Sequence, residues 1–405
     1  MRNNIAIVGA GLVGARLAEE LRAIGHEGRL VLVGAESHAP YDRPPLSKEM
    51  LAGRDLAPGI SLLDAEKLQT LGVEWHPGVA ATALDTSRRV VELADKSSIS
   101  FDRLAIATGA SPLYLPDTEH LRSVHVLRTL DDCLRLRKSL HHAAHVTVVG
   151  GGVLGCEIAA TISGEAHHVT LVEAGDSLLG RVVPQGEFSN LIQRIHESSG
   201  VQVMLGRSVD RIDGSESAQE VVLSDGSTIA TNLIVMAIGV RPSTDWLAGS
   251  DLELDDGVLC DEHLETNVSG IFAAGDIARL RKKGSCATVR YEHWTAAVQH
   301  AQIVAHNLIA DDTGLQVSED ESYVWSDQFG RRLQILGRVE SGRQDEVVEH
   351  IAMRDDVHNR MLALYADPGG AVLGITAIGA AKAFNALREM FRSPLSLRDA
   401  IARIS

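Results

Sequence analysis

Residues 5–21 read IAIVGAGLVGARLAEEL, and residues 146–162 read VTVVGGGVLGCEIAATI. Each begins with a short apolar, largely β-branched run. Glycines spaced G-x-G-x-x-G follow, and then apolar residues at helical spacing. A second strand-like run succeeds each stretch: Leu30-Val31-Leu32-Val33 after the first, Val169-Thr170-Leu171-Val172 after the second. The pattern predicts two β-α-β units in one chain. In such a unit the first glycine (Gly9, Gly150) permits a tight turn. The second (Gly11, Gly152) lets the backbone approach a pyrophosphate at the helix N-terminus. The third (Gly14, Gly155) lets helix and strand pack closely. One such motif is a weak signal. Two, each between a strand and a helix, predict two dinucleotide sites.

The end of the second strand of each unit is where an acidic side chain can accept hydrogen bonds from an adenosine ribose. In the second unit that residue is Glu173. A 2′-phosphate would meet its carboxylate, and no Lys or Arg follows until Arg181, so NADH is favoured over NADPH. In the first unit the equivalent position is Gly34, and the nearest acid is Glu36. Glu36 reads equally as a ribose ligand and as a solvated loop carboxylate.

Further buried-strand candidates end at small residues: Leu104–Ala107 before Thr108-Gly109, Leu233–Ile238 before Gly239, and Ile271–Ala274 before Gly275-Asp276. Cofactors sit at such strand ends in open α/β sheets. Beyond about residue 320 the texture changes to short alternating strands at 323–326, 333–339, 347–353, 361–366 and 371–377, with a helix near 380–391. The expected fold is therefore α/β, with two Rossmann-like dinucleotide-binding domains plus a C-terminal α+β domain. The expected division is a discontinuous first domain at 1–109 and 237–319, a second inserted at 110–236, and a third at 320–405.

Composition narrows the function. The chain has 405 residues, a net charge of -16, 45% hydrophobic and 23% charged residues. That is ordinary globular composition, and its acidity argues against nucleic acid or an anionic membrane as general partners. No apolar run spans a bilayer, and the first strand begins at Ile5 with no signal-peptide pattern before it, so the expected location is the cytoplasm. The four cysteines, Cys133, Cys156, Cys260 and Cys286, show no C-x-x-C or metal spacing. That usage suits free thiols in a reducing compartment and excludes electron relay through a vicinal dithiol. His141 and His145 have i, i+4 spacing, but with no supporting carboxylate motif they read as a solvent-facing cluster, and no metal is expected. The amphipathic segment 382–392 reads as packing through Phe384, Leu387 and Phe391.

After the first unit comes Tyr41-Asp42-Arg43-Pro44-Pro45-Leu46-Ser47-Lys48. With PPLSK, the order continues: ATG at 107–109, GGG-x-x-G-x-E at 150–157, AIG-x-RP at 237–242, AAGD at 273–276 and WSDQ at 325–328. Along its full length this resembles the NADH-dependent ferredoxin reductases of bacterial cytochrome P450 and ring-hydroxylating dioxygenase systems. These belong to the pyridine nucleotide–disulfide oxidoreductase fold group. The resemblance implies FAD and NADH as cofactors, and a [2Fe-2S] ferredoxin that feeds an oxygenase as acceptor.

It also implies roles. Asp276 would bond the ribityl chain of FAD, Arg128 would contact FAD, and Trp294 would lie against the isoalloxazine. Glu157 would face the nicotinamide and pair with Lys48 near flavin N5, making these two the catalytic candidates. Thr108 and Gly109 would lie close to FAD, with Val13, Arg43, Pro44 and Ala81 as further contacts. Leu154, Arg181 and Gly239 would complete the NADH site. The family often has an acid directly after the glycine ending its second strand; Ala35 stands there instead. Same-fold alternatives are an NADH oxidase, peroxidase, quinone reductase or rubredoxin reductase, and a flavoprotein that senses redox state by association. The peroxide-reducing branch carries a reactive cysteine in the segment after the first unit, where this chain has Tyr41-Asp42-Arg43.

Ferredoxins are usually acidic, and so is this chain. Docking then calls for a local basic patch. The expected patch is Arg279, Arg281, Lys282 and Lys283 with Arg290, extended by Lys382, Arg388 and Arg392.

Overall fold

A computed structural model describes residues 3–54, 59–164, 167–215, 218–281, 287–310, 314–318, 322–337 and 347–404. The chain divides into two compact units. The first comprises Met1–Arg43, Ala57–Ser111 and Val240–Glu321; the second comprises Pro44–Leu56, Pro112–Gly239 and Ser322–Ser405.

The first unit is built on a five-stranded parallel sheet. Its order is Ile271–Ala273, Arg103–Ile106, Ile5–Val8, Leu30–Gly34, Val73–Pro77. Every residue of Ile5–Val8 and Leu30–Gly34 is buried, which explains why these strands read as continuous apolar runs rather than as alternation. Helix Leu12–Ala23 turns Leu17, Ala18 and Leu21 inward and packs on helix Trp294–Asn307. A small antiparallel ribbon, Ala81–Asp85, Val90–Leu93 and Ser98–Ser100, flanks this core.

The second unit repeats the plan. Its parallel sheet runs Val201–Met204, His168–Val172, His145–Val149, Leu233–Met236, Val124–Val126. Helix Val153–Ser163 packs on it with Ile158, Ala159 and Ile162 buried. The C-terminal stretch of the same unit forms a five-stranded antiparallel sheet, in the order Tyr323–Gln328, Arg331–Gly337, Val372–Ile378, Arg360–Ala366, Val348–Asp355. Helices Ala381–Met390 and Leu397–Ile404 cover one face, with Phe384 and Leu387 fully buried and Phe391 packed against the same core. The segment 382–392 thus spends its apolar face on this domain.

Candidate active site

The glycines of the two fingerprints do three different jobs. Gly9 has φ +115°, and a Cβ there would lie 2.1 Å from the carbonyl oxygen of Ala107. Gly150 has φ +108°, and its Cβ would lie 2.3 Å from the carbonyl oxygen of Ala237. Both positions require the absence of a side chain, because the glycine turn is pressed against the end of the neighbouring strand. A Cβ on Gly14 would lie 2.0 Å from the Gly9 carbonyl oxygen, and one on Gly155 1.8 Å from that of Gly150. These glycines seat the helix on its own turn.

Gly11 and Gly152 differ: a Cβ on either meets nothing within 4 Å. No intramolecular contact requires glycine there, so the open space is room for something that must come close to the backbone. Each is also the N-cap residue of its helix, without a side-chain cap and without an acid in the first turn. Helix N-termini of this kind present unsatisfied N–H groups and positive potential, the surroundings a pyrophosphate needs. The residues present therefore fit a dinucleotide at each fingerprint.

Around the first fingerprint, Gly275 packs so closely on the helix that a Cβ would lie 2.7 Å from Val13 Cγ2. This sets the turn Gly275–Ile277, which carries half-buried Asp276, directly over Val13. His300 lies fully buried beneath that turn. Its Nδ1 accepts the Gly275 N–H at 3.2 Å, and burial pushes its pKa down to about 4, so the ring is neutral. Glu36 is engaged within its own unit: Tyr41 Oη donates to it at 2.5 Å and Arg43 Nη2 at 3.2 Å. Trp294 opens its helix and donates from Nε1 to Asp42 Oδ1 at 2.9 Å. Thr108 Oγ1 donates to the Ser243 carbonyl at 3.1 Å, and Ser243 N donates to that of Gly109 at 3.0 Å. Ala81 is half-buried at the start of its strand.

Around the second fingerprint, Glu173 follows strand His168–Val172. Its Oε2 accepts from Gly151 N at 2.5 Å and its Oε1 from Gly175 N at 2.7 Å. Each oxygen keeps a further lone pair for a ribose hydroxyl. The guanidinium of exposed Arg181 lies over Gly239, where a Cβ would come 3.2 Å from Nη1. Leu154 is half-buried in the first turn of the helix. Arg128 immediately precedes the capping box of helix Leu130–Leu140, its N–H 3.2 Å from Asp132 Oδ2. Of the residues assigned to FAD by resemblance, Pro44, Lys48 and Arg128 belong to this second unit.

Within the second unit a buried polar network centres on Glu157. Lys48 Nζ donates to Glu157 Oε2 at 2.6 Å, and Ser47 Oγ donates to the same oxygen at 2.6 Å. Ser326 Oγ donates to Oε1 at 2.8 Å and accepts from Gln328 Nε2 at 2.9 Å. Lys48 also donates to the Pro44 carbonyl at 3.1 Å, and Thr161 Oγ1 to that of Ser47 at 2.7 Å. The side chains of Lys48 and Glu157 are 14% and 7% exposed. Short, largely dehydrated and charge-assisted, these are the strong class of hydrogen bond. Sequence reasoning paired Lys48 with Glu157 but missed Ser47, Ser326 and Gln328. The available signal was two polar residues, Ser326 and Gln328, two apart and therefore on one face of their strand.

Cys133, Cys156 and Cys260 are buried, free thiols. Burial pushes Cys133 up to about 11 and raises Cys156 and Cys260 further, so none is a thiolate nucleophile. Cys286 lies outside the described residues. The rings of His145 and His168 stack at 4.9 Å, and among the described residues no group of three or more His, Cys, Asp or Glu could hold a metal ion.

Three arginines of the expected basic patch are paired with acids. Arg279 Nη1 pairs with Asp256 at 2.7 Å, Arg281 Nη2 with Glu253 at 2.6 Å, and Arg290 Nη1 with Glu292 at 2.6 Å. Asp256 also approaches Arg290, at 3.3 Å. The acids of 253–256 and Glu292 thus offset part of the charge of these three arginines. Lys282 and Lys283 lie outside the described residues. Arg388 stacks over the Tyr323 ring at 4.1 Å. Lys382 and Arg392 are exposed.

Two parallel sheets, each with a strand–glycine–helix pyrophosphate cradle, together with buried thiols, define a two-dinucleotide oxidoreductase without a cysteine relay among its described residues. Residues 3–301 match the pyridine nucleotide-disulphide oxidoreductase model, and residues 323–403 match the reductase C-terminal model. The chain belongs to the pyridine nucleotide-disulphide oxidoreductase family. It is 34% identical over 384 residues to the ferredoxin–NAD(+) reductase component of the p-cumate 2,3-dioxygenase system of Pseudomonas putida, covering 94% of this chain and 91% of that one. It is 30% identical over 402 residues to the putidaredoxin reductase of Pseudomonas putida, covering 97% and 92%. The crystal structure of the covalent putidaredoxin reductase–putidaredoxin complex superposes with a TM-score of 0.88 at 29% identity, over 98% of this chain and 95% of that chain. Among the described residues no helix is long and apolar enough to cross a membrane.

Proposed function

We propose that this chain is an FAD-dependent reductase that takes electrons from NADH and delivers them to a [2Fe-2S] ferredoxin feeding an oxygenase. The observation that carries the reading is the pair of open glycines, Gly11 and Gly152, each at an uncapped helix N-terminus beside glycines that packing makes obligatory. Bound FAD would supply the redox chemistry that links a two-electron donor to a one-electron acceptor. The chain's own residues bind and orient. The first cradle, with Asp276 and Thr108, holds FAD. The second, with Glu173 at the adenosine ribose, holds NADH. Glu157 and Lys48 act at the reacting end, where their fixed charges stand in for water. We read the two dinucleotide domains as 1–109 with 237–319, and 110–236, followed by the C-terminal domain at 320–405.

The buried thiols favour this reading over a peroxidase, which needs a reactive thiolate. The direct test is reconstitution. Purified protein should be yellow, with about one non-covalent FAD per chain, and NADH should reduce an added [2Fe-2S] ferredoxin. A colourless protein that takes up no FAD refutes the proposal. For docking we retain Arg281 with Lys282 and Lys283. Arg281 and Glu253 are both about half exposed, and an ion pair of that kind holds its charges weakly. Reversing all three to glutamate should lower ferredoxin-coupled turnover and leave reduction of a small neutral dye unchanged. Equal losses with both acceptors would remove the docking assignment.

A further inference from the structure

Ser326 is fully buried on strand Tyr323–Gln328, and Gln328 points to the same face two residues on. Their strand packs on helix Val153–Ser163, which carries Glu157, and both polar side chains face that helix rather than the apolar core under the C-terminal helices. Both are used on Glu157. A carboxylate only accepts, so the single hydroxyl proton of Ser326 goes to Glu157 Oε1, and its oxygen receives the Gln328 amide. The two oxygens of Glu157 are held from different parts of the chain. Oε2 takes Lys48 and Ser47 from the Pro-Pro-Leu-Ser-Lys segment; Oε1 takes Ser326 from a strand 169 residues beyond Glu157. Rotation about the last bond of a glutamate is soft. Anchored through Oε2 alone, the carboxylate swings about that bond and carries the ammonium of Lys48 with it. Anchored through both oxygens, it has one orientation.

We propose that Ser326, itself aimed by Gln328, is a positioning residue that fixes the Glu157–Lys48 pair in its working orientation. The inference rests on the assignment of Glu157 and Lys48 to the reacting end. It gives the C-terminal domain a part in the NADH half-reaction besides any part in meeting the acceptor.

The test uses FAD-loaded protein with Ser326→Ala, Ser326→Thr, Gln328→Leu and Glu157→Gln. Stopped-flow reduction by NADH gives the limiting rate and the NADH dissociation constant separately. Dye equilibration gives the flavin midpoint potential. Loss of one charge-assisted bond predicts that Ser326→Ala lowers the limiting rate about tenfold while FAD content and the NADH constant hold within about twofold. Its midpoint potential should move in the same direction as that of Glu157→Gln. Ser326→Thr, which keeps the hydroxyl, should recover most of the rate and the wild-type potential. In the Glu157→Gln background, Ser326→Ala should add little, because it acts through the carboxylate. A wild-type rate and potential in Ser326→Ala, alongside a slow Glu157→Gln, overturns the proposal and leaves the functional assignment standing. A wild-type rate in Glu157→Gln overturns both. Should Ser326→Ala fail to fold, Gln328→Leu takes its place: slower reduction supports the proposal, and an unchanged rate and potential overturns it.

Discussion

Glu157→Ala is the most informative single change. It removes the acceptor for three buried donors: the Lys48 ammonium and the hydroxyls of Ser47 and Ser326. Removing one partner of a buried pair costs about 3–5 kcal/mol, mainly because the surviving charge is left without compensation. Lys48 keeps the Pro44 carbonyl at 3.1 Å and its side chain is 14% exposed, so some of its charge is still served. That places the expected loss near the lower end, about 3 kcal/mol. The double variant Lys48→Met, Glu157→Leu leaves no stranded charge and should recover about 2 kcal/mol of that loss. Hydrogen exchange of helix Val153–Ser163 reads the effect locally, without requiring two-state unfolding of a two-unit chain. Reduction by NADH should slow in the single variant far more than FAD is lost, since the fingerprint glycines are untouched. Equal protection of the helix in wild type, single and double variants would refute the energetic argument. A wild-type reduction rate in Glu157→Ala would refute the functional one.

Substituting the fingerprint glycines should separate folding from binding: Gly14→Ala and Gly155→Ala place a Cβ 2.0 and 1.8 Å from a carbonyl oxygen and should abolish soluble expression. Gly11→Ala and Gly152→Ala meet nothing and should fold, the first with reduced FAD content by absorbance, the second with a raised KM for NADH. Glu173→Ala with Ala174→Arg should shift kcat/KM towards NADPH; equal values for the two cofactors in wild type would contradict the role of Glu173. Burial lowers the His300 pKa from its ordinary value of about 6.5 to about 4, so the folded state prefers the neutral ring and the unfolded chain takes up the proton first. Its contribution to stability is complete above about pH 6.5 and falls away between there and about pH 4, by roughly 3 kcal/mol. His300→Asn should flatten that stretch of the urea midpoint against pH, and an unchanged slope would rule His300 out.

The two cradles and their order along the chain could be read from the sequence, because they are short-range geometry. A strand, a turn that only glycine can make and a helix N-terminus lie within a dozen residues, and the reasons for Gly9, Gly14, Gly150 and Gly155 are contacts between near neighbours or adjacent strands. Glu173 was legible for the same reason: the end of a strand is marked by where its apolar run stops. The alternating strands after residue 320 announced a separate sheet by their period alone. Other features depend on pairings that no local pattern encodes. Ser326 reaches Glu157 because the C-terminal sheet packs on helix Val153–Ser163. The basic run at 279–281 looked cationic when read linearly, and strand pairing beside 253–260 set acids against it. Cys156 lies in the first turn of a helix, where a thiolate can be stabilised, and it is tertiary burial that raises its pKa and leaves it a packing residue. Local spacing determines where the backbone can receive a phosphate; long-range packing determines which charges are compensated, which of the described thiols are buried and which hydroxyl bonds the carboxylate.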